Sequence, residues 1–474
     1  MSEPSHASDD ATHATATAPA TRIPASWRIA SGALLAGGVA VGVISSRLKM
    51  GRVPTLLLGG LFLSYAIPIF HASRRPSVPP NAPPIDPRAP LPTMSVVVAG
   101  RDEANVIGQL VRDVAAQDHR DADGSPLFEL VIVDDRSTDG TGAVALAAAR
   151  EAGIGDVTRV IRREGEHLPD GKGAALTAAQ PQQCRNDVVV VLDADARIAP
   201  HYLRRTSAYF GAGVRALTPR RRTLGAGTSL LAQLQGDEQT LDGELQRGRW
   251  SLGGCSEFRG NGITLRRDLL EEVGGWRAEA LTEDLDLSSR VAAAEGIGVA
   301  WALDVEVWEE PVHTWRHYWR QRVRWGEGGV RRAFEHSMPV LLSPRLSLQA
   351  KSDYLTYVGQ LAVAPLGLGL VAGSILGRRF ERVAVIATAY LGITAALGWD
   401  GLRWESKPDG SPLGTGERLR RSILVALATP LWAGIVSKVF FELALGDGAI
   451  KYDKMHHEGD LKPHVAIDEL REHE

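Results

Sequence analysis

The chain of 474 residues carries 53 basic against 56 acidic side chains, a balance that argues against a general nucleic-acid binder, which needs a strong basic excess. Its length allows more than one domain. The two cysteines, Cys184 and Cys255, belong to no paired motif, which speaks against a disulfide framework or a zinc site and fits a reduced, cytosol-facing soluble part.

Residues 1–28 are rich in Ala, Thr and Ser and hold little to bury, which predicts a disordered tail; the basic n-region of a secretory signal is weak. Two uncharged stretches follow, IASGALLAGGVAVGVISS (29–46) and VPTLLLGGLFLSYAIPIF (53–70). Each is about long enough to cross a bilayer, and their Gly and Ala content suits close helix packing in lipid. We read 29–73 as two transmembrane helices and 74–93, which is proline-rich, as a stiff extended linker. Three more apolar stretches lie at 355–376, 383–399 and 423–445, the last carrying Lys438 and Glu442. They predict about three further transmembrane helices, with interface segments, within 336–446. Buried core helices are the alternative, but five such stretches flank one charged middle region, so an integral membrane protein is expected. Residues 447–474 form a polar tail.

The middle, 94–335, reads as a soluble domain. MSVVVAG (94–100), FELVIVDD (128–135), VTRVI (157–161) and DVVVVLDAD (187–195) are short apolar runs rich in β-branched residues and predict strands. Between the first two, Val106, Ile107, Leu110, Val111 and Val114 recur at helical spacing, and an Ala-rich helix follows the second. Strand alternating with helix predicts a parallel sheet with crossover helices. Ligands of such sheets collect beyond the carboxyl ends of the strands. Asp134 and Asp135 stand at one such end, Asp193 and Asp195 at another. In an extended chain residues i and i+2 point to one side, so Asp193 and Asp195 converge. Convergent carboxylates repel unless a cation sits between them, and Mg²⁺ or Mn²⁺ holding a phosphate is the usual resolution. Solvated loop acids are the alternative, weakened by the apolar run VVVVL before the pair. GEHLPDGKG (165–173) has the wrong spacing for a phosphate-binding Walker loop, no Gly-x-Gly-x-x-Gly follows the first strand, and no His-Glu-x-x-His occurs. Lys172 suits a phosphate contact or, equally, a solvated loop.

Farther along, LTEDLDLSS (281–289) crowds Glu283, Asp284 and Asp286 among Leu281, Leu285 and Leu287. A local reading is a helix start, with Thr282 as cap and acids set against the helix dipole. Asn261, between Gly260 and Gly262, is placed near an acceptor, because the glycines permit close backbone approach. Gln321, Arg324 and Trp325 stand at i, i+3 and i+4 and share one helix face. HTWRHYWRQRVRW (313–325) also has the Trp and Arg content of a membrane-surface helix. His313, His456 and His457 show no ligand spacing.

VVVAGRDEANVI, VIVDDRSTDGT, GKGAAL, VLDADA, FRGNGITLRRDLLEEVGGW, LTEDLDLS and QRVRW occur in one order. That set resembles the family 2 glycosyltransferases over about residues 95–325, and in particular their membrane-embedded branch of cellulose synthase-like, hyaluronan synthase-like and ceramide glucosyltransferase-like enzymes. The resemblance implies an α/β GT-A (nucleotide-diphospho-sugar transferase) domain with a mainly parallel sheet, flanked by transmembrane helices, and an inverting reaction. On it, Asp134 and Asp135 resemble the acids that recognise base and ribose. Asp193 and Asp195 resemble the metal and diphosphate pair. Asp284 is similar to the general base, with Glu283 beside it, and Asp286 is left structural. Gln321, Arg324 and Trp325 match the Gln-x-x-Arg-Trp motif, Arg324 toward the diphosphate, Gln321 and Trp325 toward the acceptor. Asp102 stands where many relatives have Asn, and Arg136 where Gly is usual. The expected reaction moves a sugar from a nucleotide-diphosphate sugar to a lipid or glycan acceptor, with Mg²⁺ or Mn²⁺, at the cell membrane and from the cytosolic side. A processive polysaccharide synthase and a non-catalytic nucleotide-binding membrane protein are the alternatives.

Overall fold

Period-2 alternation inside fully buried strands organises the core. In the computed structural model, which describes residues 23–47, 59–60, 63, 90–165, 167–407 and 410–446, β1 (Met94–Gly100), β2 (Phe128–Asp135) and β4 (Val188–Leu192) are buried along almost their whole length. Val96, Val98, Leu130, Ile132, Val190 and Leu192 face one side of the sheet. Val97, Val131, Val133, Val189 and Val191 face the other. The apolar stripe Ile107, Leu110, Val111 and Val114 of the helix Ala104–Ala115 covers the first face. Leu269, Leu270 and Leu287, carried by the helices Arg267–Glu272 and Glu283–Glu295, cover the second.

Four further strands, β3 (Thr158–Arg163), β5 (Arg197–Ile198), β6 (Ala216–Thr223) and β7 (Ile263–Arg266), join β8 (Ala300–Glu309) in one eight-stranded sheet of order β3-β2-β1-β4-β7-β6-β8-β5. β1, β2, β3 and β4 are parallel, as expected, and β7 runs antiparallel to both of its neighbours. β3 extends two residues beyond the expected end, which sets Arg162 opposite Asp134 and Arg163 opposite Asp135.

Four described helical segments are long and apolar enough to cross a membrane: Ala25–Arg47, Leu348–Leu376, Phe380–Trp404 and Thr415–Leu445. The first begins four residues ahead of the expected start. It packs on Leu348–Leu376 glycine to glycine: a Cβ added at Gly369 would stand 1.9 Å from the Gly38 carbonyl oxygen, and one at Gly373 1.9 Å from that of Gly42. Such approach is the packing mode that small residues permit in lipid. The last segment is broken at Thr429–Pro430 into the helices Thr415–Ala428 and Leu431–Leu445. Both touch the soluble domain, through Arg421 on Asp237 and Trp432 on Glu238. The helix Trp315–Leu342 runs past the expected domain end at 335. Nearly all of the expected span 53–70 and most of the linker and the two tails lie outside the described residues.

Candidate active site

A cavity of about 1280 Å³ begins at the carboxyl ends of β1, β2 and β4 and continues between the apolar helices. Asp135, Lys172, Asp193, Asp195, Asn261, Glu283, Asp284, Gln321, Arg324 and Trp325 all line it. Asp134 does not, and strand parity explains why. It shares the face of Leu130 and Ile132, so its buried carboxylate accepts the Ser137 amide at 3.0 Å and the Arg162 guanidinium at 2.8 Å. Asp135 shares the face of Val131 and Val133 and meets the cavity, held by Arg163 at 2.8 Å and Arg136 at 2.9 Å. Arg136 adopts a left-handed backbone (φ 59°), a conformation that costs a non-glycine residue about 1–2 kcal/mol. Its bonds to Asp135 and Asp170 hold it there.

Asp193 and Asp195 both line the cavity, carried by a turn that the Ala196 amide closes on the Asp193 carbonyl (3.0 Å) and not by the extended strand, which ends at Leu192. Lys172 donates to Asp193 and to the Gly260 carbonyl (3.0 Å) and lies 3.3 Å from Glu283. Burial alone would lower the lysine's pKa, yet Asp193 and Glu283 outweigh it and raise the value. Asn261 is fully buried, its side-chain oxygen accepting from the Asp193 amide at 3.1 Å and its nitrogen reaching Glu309 at 3.5 Å. It therefore braces the acid turn while lining the cavity. Oxygen donors from Asp193 and Asp195 at the cavity floor are the set a hard divalent cation takes, so these residues fit Mg²⁺ or Mn²⁺. A second group, Asp286, Glu335 and His336, has the spacing of ligands. There the Asp286 carboxylate already accepts Arg277 at 3.0 Å and Arg290 at 2.7 Å, and two guanidiniums leave little attraction for a cation.

The crowded acids at 283–286 divide. Thr282 is the residue before the helix but makes no capping bond; its side chain packs against Gly328. Leu287 is buried in the core, whereas Leu281 and Leu285 line the cavity. Asp284 accepts the Leu285 amide at 2.8 Å. Burial first, then Glu283, push its pKa up to about 6, against the opposing pull of Arg259 and Lys172. Asp286 faces away, bonded to His336 at 2.8 Å besides its arginines. The Trp325 ring is met by the Arg322 guanidinium at 4.2 Å and by Arg221 at 5.6 Å, so less of it is open to a sugar than the motif alone implies.

Several lining residues escaped the sequence reading. Glu309, at the end of β8, accepts Arg221 at 2.5 Å and Gln239 at 2.5 Å; the strand-end rule that found Asp193 applies equally to EVWEE. Glu238 accepts from Arg322, Tyr318 and Trp432, and no local pattern marks it.

Residues 92–328 match the family model described as Glycosyltransferase like family 2. Beta-monoglucosyldiacylglycerol synthase of Synechocystis sp. is 32% identical over 288 residues, 60% of this chain and 58% of that protein. Poly-beta-1,6-N-acetyl-D-glucosamine synthase of Staphylococcus epidermidis is 27% identical over 241 residues, 47% of this chain and 52% of that protein. The chain thus spans little more than half the length of these relatives. Among solved structures, the mannosyltransferase PcManGT from Pyrobaculum calidifontis, in complex with GDP-Man and Mn²⁺, superposes with a TM-score of 0.54 at 20% identity, covering 84% of this chain and 99% of that one. That likeness is one of fold.

Proposed function

Because the chain belongs to the family 2-like glycosyltransferases and has their GT-A fold, we propose that it is a membrane-integrated inverting transferase. In this reading it moves a sugar from a nucleotide-diphosphate sugar to the hydroxyl of a membrane lipid. The observation that carries it is the continuity of the cavity: the carboxylates at its floor and the apolar side chains of Leu361, Ala364, Leu368 and Ile386 line one space. Apolar walls suit acyl chains better than a threaded glycan, whose hydroxyls need polar partners. The name of the Synechocystis relative points to a lipid product as well.

In the proposed mechanism the nucleotide lies toward Asp135, whose plane is fixed by Arg136 and Arg163. Asp193 and Asp195 would hold Mg²⁺ or Mn²⁺, which when bound neutralises the charge of the departing diphosphate. Lys172 and Arg324 add positive charge along the same edge. The acceptor oxygen attacks the anomeric carbon as the bond to the diphosphate breaks, and its proton passes to Asp284. A carboxylate whose pKa stands near 6 holds that proton better than an ordinary aspartate and is still ionised at neutral pH. Attack from the face opposite the leaving group inverts the configuration.

The test is nucleotide release by detergent-purified protein over a panel of UDP- and GDP-sugars, with Mg²⁺ or Mn²⁺ and membrane lipid extract. One donor should turn over in a metal-dependent way. Asp195→Ala should abolish turnover and Asp284→Asn lower it by about 10²–10⁴-fold. A ladder of products would instead favour a polysaccharide synthase. Tight nucleotide binding without release from any donor would favour a non-catalytic protein.

A further inference from the structure

Where the cavity passes from the carboxylate floor to the apolar helices, three side chains from three different elements meet. Asp242 comes from the helix Leu230–Ser251, Arg259 from the loop before β7, and Tyr357 from the helix Leu348–Leu376. All three line the cavity. Arg259 grips Asp242 with a fork, Nε to Oδ2 at 2.5 Å and Nη2 to Oδ1 at 3.0 Å. Its Nη2 also donates to the Tyr357 hydroxyl at 2.6 Å, and Nη1 donates to Glu257 at 3.2 Å.

Two features point to a ligand. The Asp242 side chain is 36% exposed although its partner arginine is only 11% exposed. A carboxylate offers about four lone-pair sites and a guanidinium fork occupies two, which leaves acceptor capacity on the exposed side. The Tyr357 oxygen accepts from Arg259 and, at 3.4 Å, from Gln246, so its own hydrogen is left to donate. The cluster thus offers one acceptor and one donor next to each other. A paired carboxylate and guanidinium at such a place is a poor source of stability, because desolvation offsets most of the attraction. The position is also apt. A Cβ at Gly260, the residue after Arg259, would stand 3.8 Å from Asp284 Oδ2. On the other side Tyr357 packs with Leu241, Leu245, Ile393 and Leu397.

We propose that Asp242, Arg259 and Tyr357 form a head-group subsite for an amphiphilic acceptor. There, one acceptor hydroxyl donates to Asp242 while a neighbouring oxygen accepts from Tyr357. This holds the attacking hydroxyl toward Asp284 while the acyl chains lie along Leu241, Ile393 and Leu397. The proposal rests on the lipid-acceptor reading above. Adjacent oxygens of this kind occur in the sugar head of a glycosyl-diacylglycerol, where the hydroxyl held by Asp242 is a neighbour of the attacking one. They occur also in the hydroxyl and ester of a diacylglycerol, whose single hydroxyl donates to Asp242 on binding and turns to Asp284 for the attack.

The experiment is equilibrium binding of dioctanoylglycerol, and separately of monohexosyl-dioctanoylglycerol, to the full chain in detergent micelles. Wild type is compared with Asp242→Asn and Tyr357→Phe, and nucleotide affinity is measured on the same samples. One of the two lipids should bind wild type saturably, and the one that does names the source of the head group. Each variant should weaken that binding about tenfold, the scale of one hydrogen bond to a charged or well-placed group, with nucleotide affinity held within twofold. The subsite is refuted if neither lipid binds wild type, if Tyr357→Phe binds as wild type does, or if nucleotide affinity falls in step with lipid affinity. Lipid binding that is lost in the variants, in a protein that releases no nucleotide from any donor, would sustain the subsite and sink the transferase reading.

Discussion

Asp284 stands where burial and like charge act together. Its folded pKa, about 6, lies above the ordinary carboxylate value because burial and then Glu283 oppose ionisation. A base acts only when ionised, so kcat/KM should rise with pH through about 6 and level off above it. Glu283→Gln removes the like charge and should move that limb to lower pH. Lys172→Met removes a cation that favours the ionised form and should move it higher. Profiles between pH 4.5 and 8 check both, and an immobile limb in the two variants would remove Asp284 from the role of base. The same shift has a consequence for stability. The fold disfavours the charged form, so the penalty is full above the folded pKa and disappears below the unfolded one. Asp284→Asn should therefore unfold at a higher temperature than wild type at pH 7, by about 1–3 kcal/mol of stability. That gain should vanish as the pH falls through 6 toward 4.

Elements far apart in the chain meet on the helix Leu230–Ser251, and Glu238 is the point of contact. It accepts Arg322 through Nε at 3.0 Å and Nη2 at 2.5 Å, and also binds Trp432 of the last apolar segment. Arg322 is 1% exposed. Leaving such a buried charge alone costs about 3–5 kcal/mol, whereas replacing both partners with uncharged groups costs less. Glu238→Ala should lower the thermal midpoint sharply, and adding Arg322→Met should restore part of the loss; a double variant no better than the single one would contradict this. The pair also shows what a sequence can reveal. β1, β2 and β4 were legible because period-2 burial is a local pattern, and the same parity separates Asp135 from Asp134. β6 was not, since ALTPRRRT reads as a basic loop until its arginines find Glu306, Glu309 and Glu405. β7 is only four residues long and carries too little pattern. Asp193 and Asp195 could be picked out because acids at the end of an apolar run are conspicuous, whereas only the family resemblance set Asp284 apart from Glu283 and Asp286. Glu238, Asp242 and Tyr357 belong to the site only through tertiary contact.

At the scale of the whole molecule, the apolar helices set two sides. Trp27, near the start of the first helix, stacks on Phe334 at 5.6 Å, beside the soluble domain. The far end of that helix meets the turn before Phe380 and the first turn of the helix Phe380–Gly401, from which Arg382 donates to the Ser45 carbonyl at 3.1 Å. Basic residues at that turn run against the tendency of cationic loops to stay in the cytosol. Arg382 has another task, because a cation at a helix carboxyl end satisfies a free carbonyl and opposes the dipole. Nucleotide sugars are cytosolic, and we propose that the soluble domain faces them, which places the turn outside. A membrane-impermeant maleimide on sealed right-side-out vesicles tests this. Glu381→Cys should label at once and Asp156→Cys, on the exposed surface of the soluble domain, only after permeabilisation. The natural thiols give little background: Cys184 and Cys255 are 4% and 2% exposed, and burial above all pushes them up to about 11 and about 12. At neutral pH almost none of either is the reactive thiolate. Immediate labelling at Asp156→Cys with protection at Glu381→Cys would invert the orientation. The donor site would then lie on the side without nucleotide sugars, and the transferase reading would fall with it.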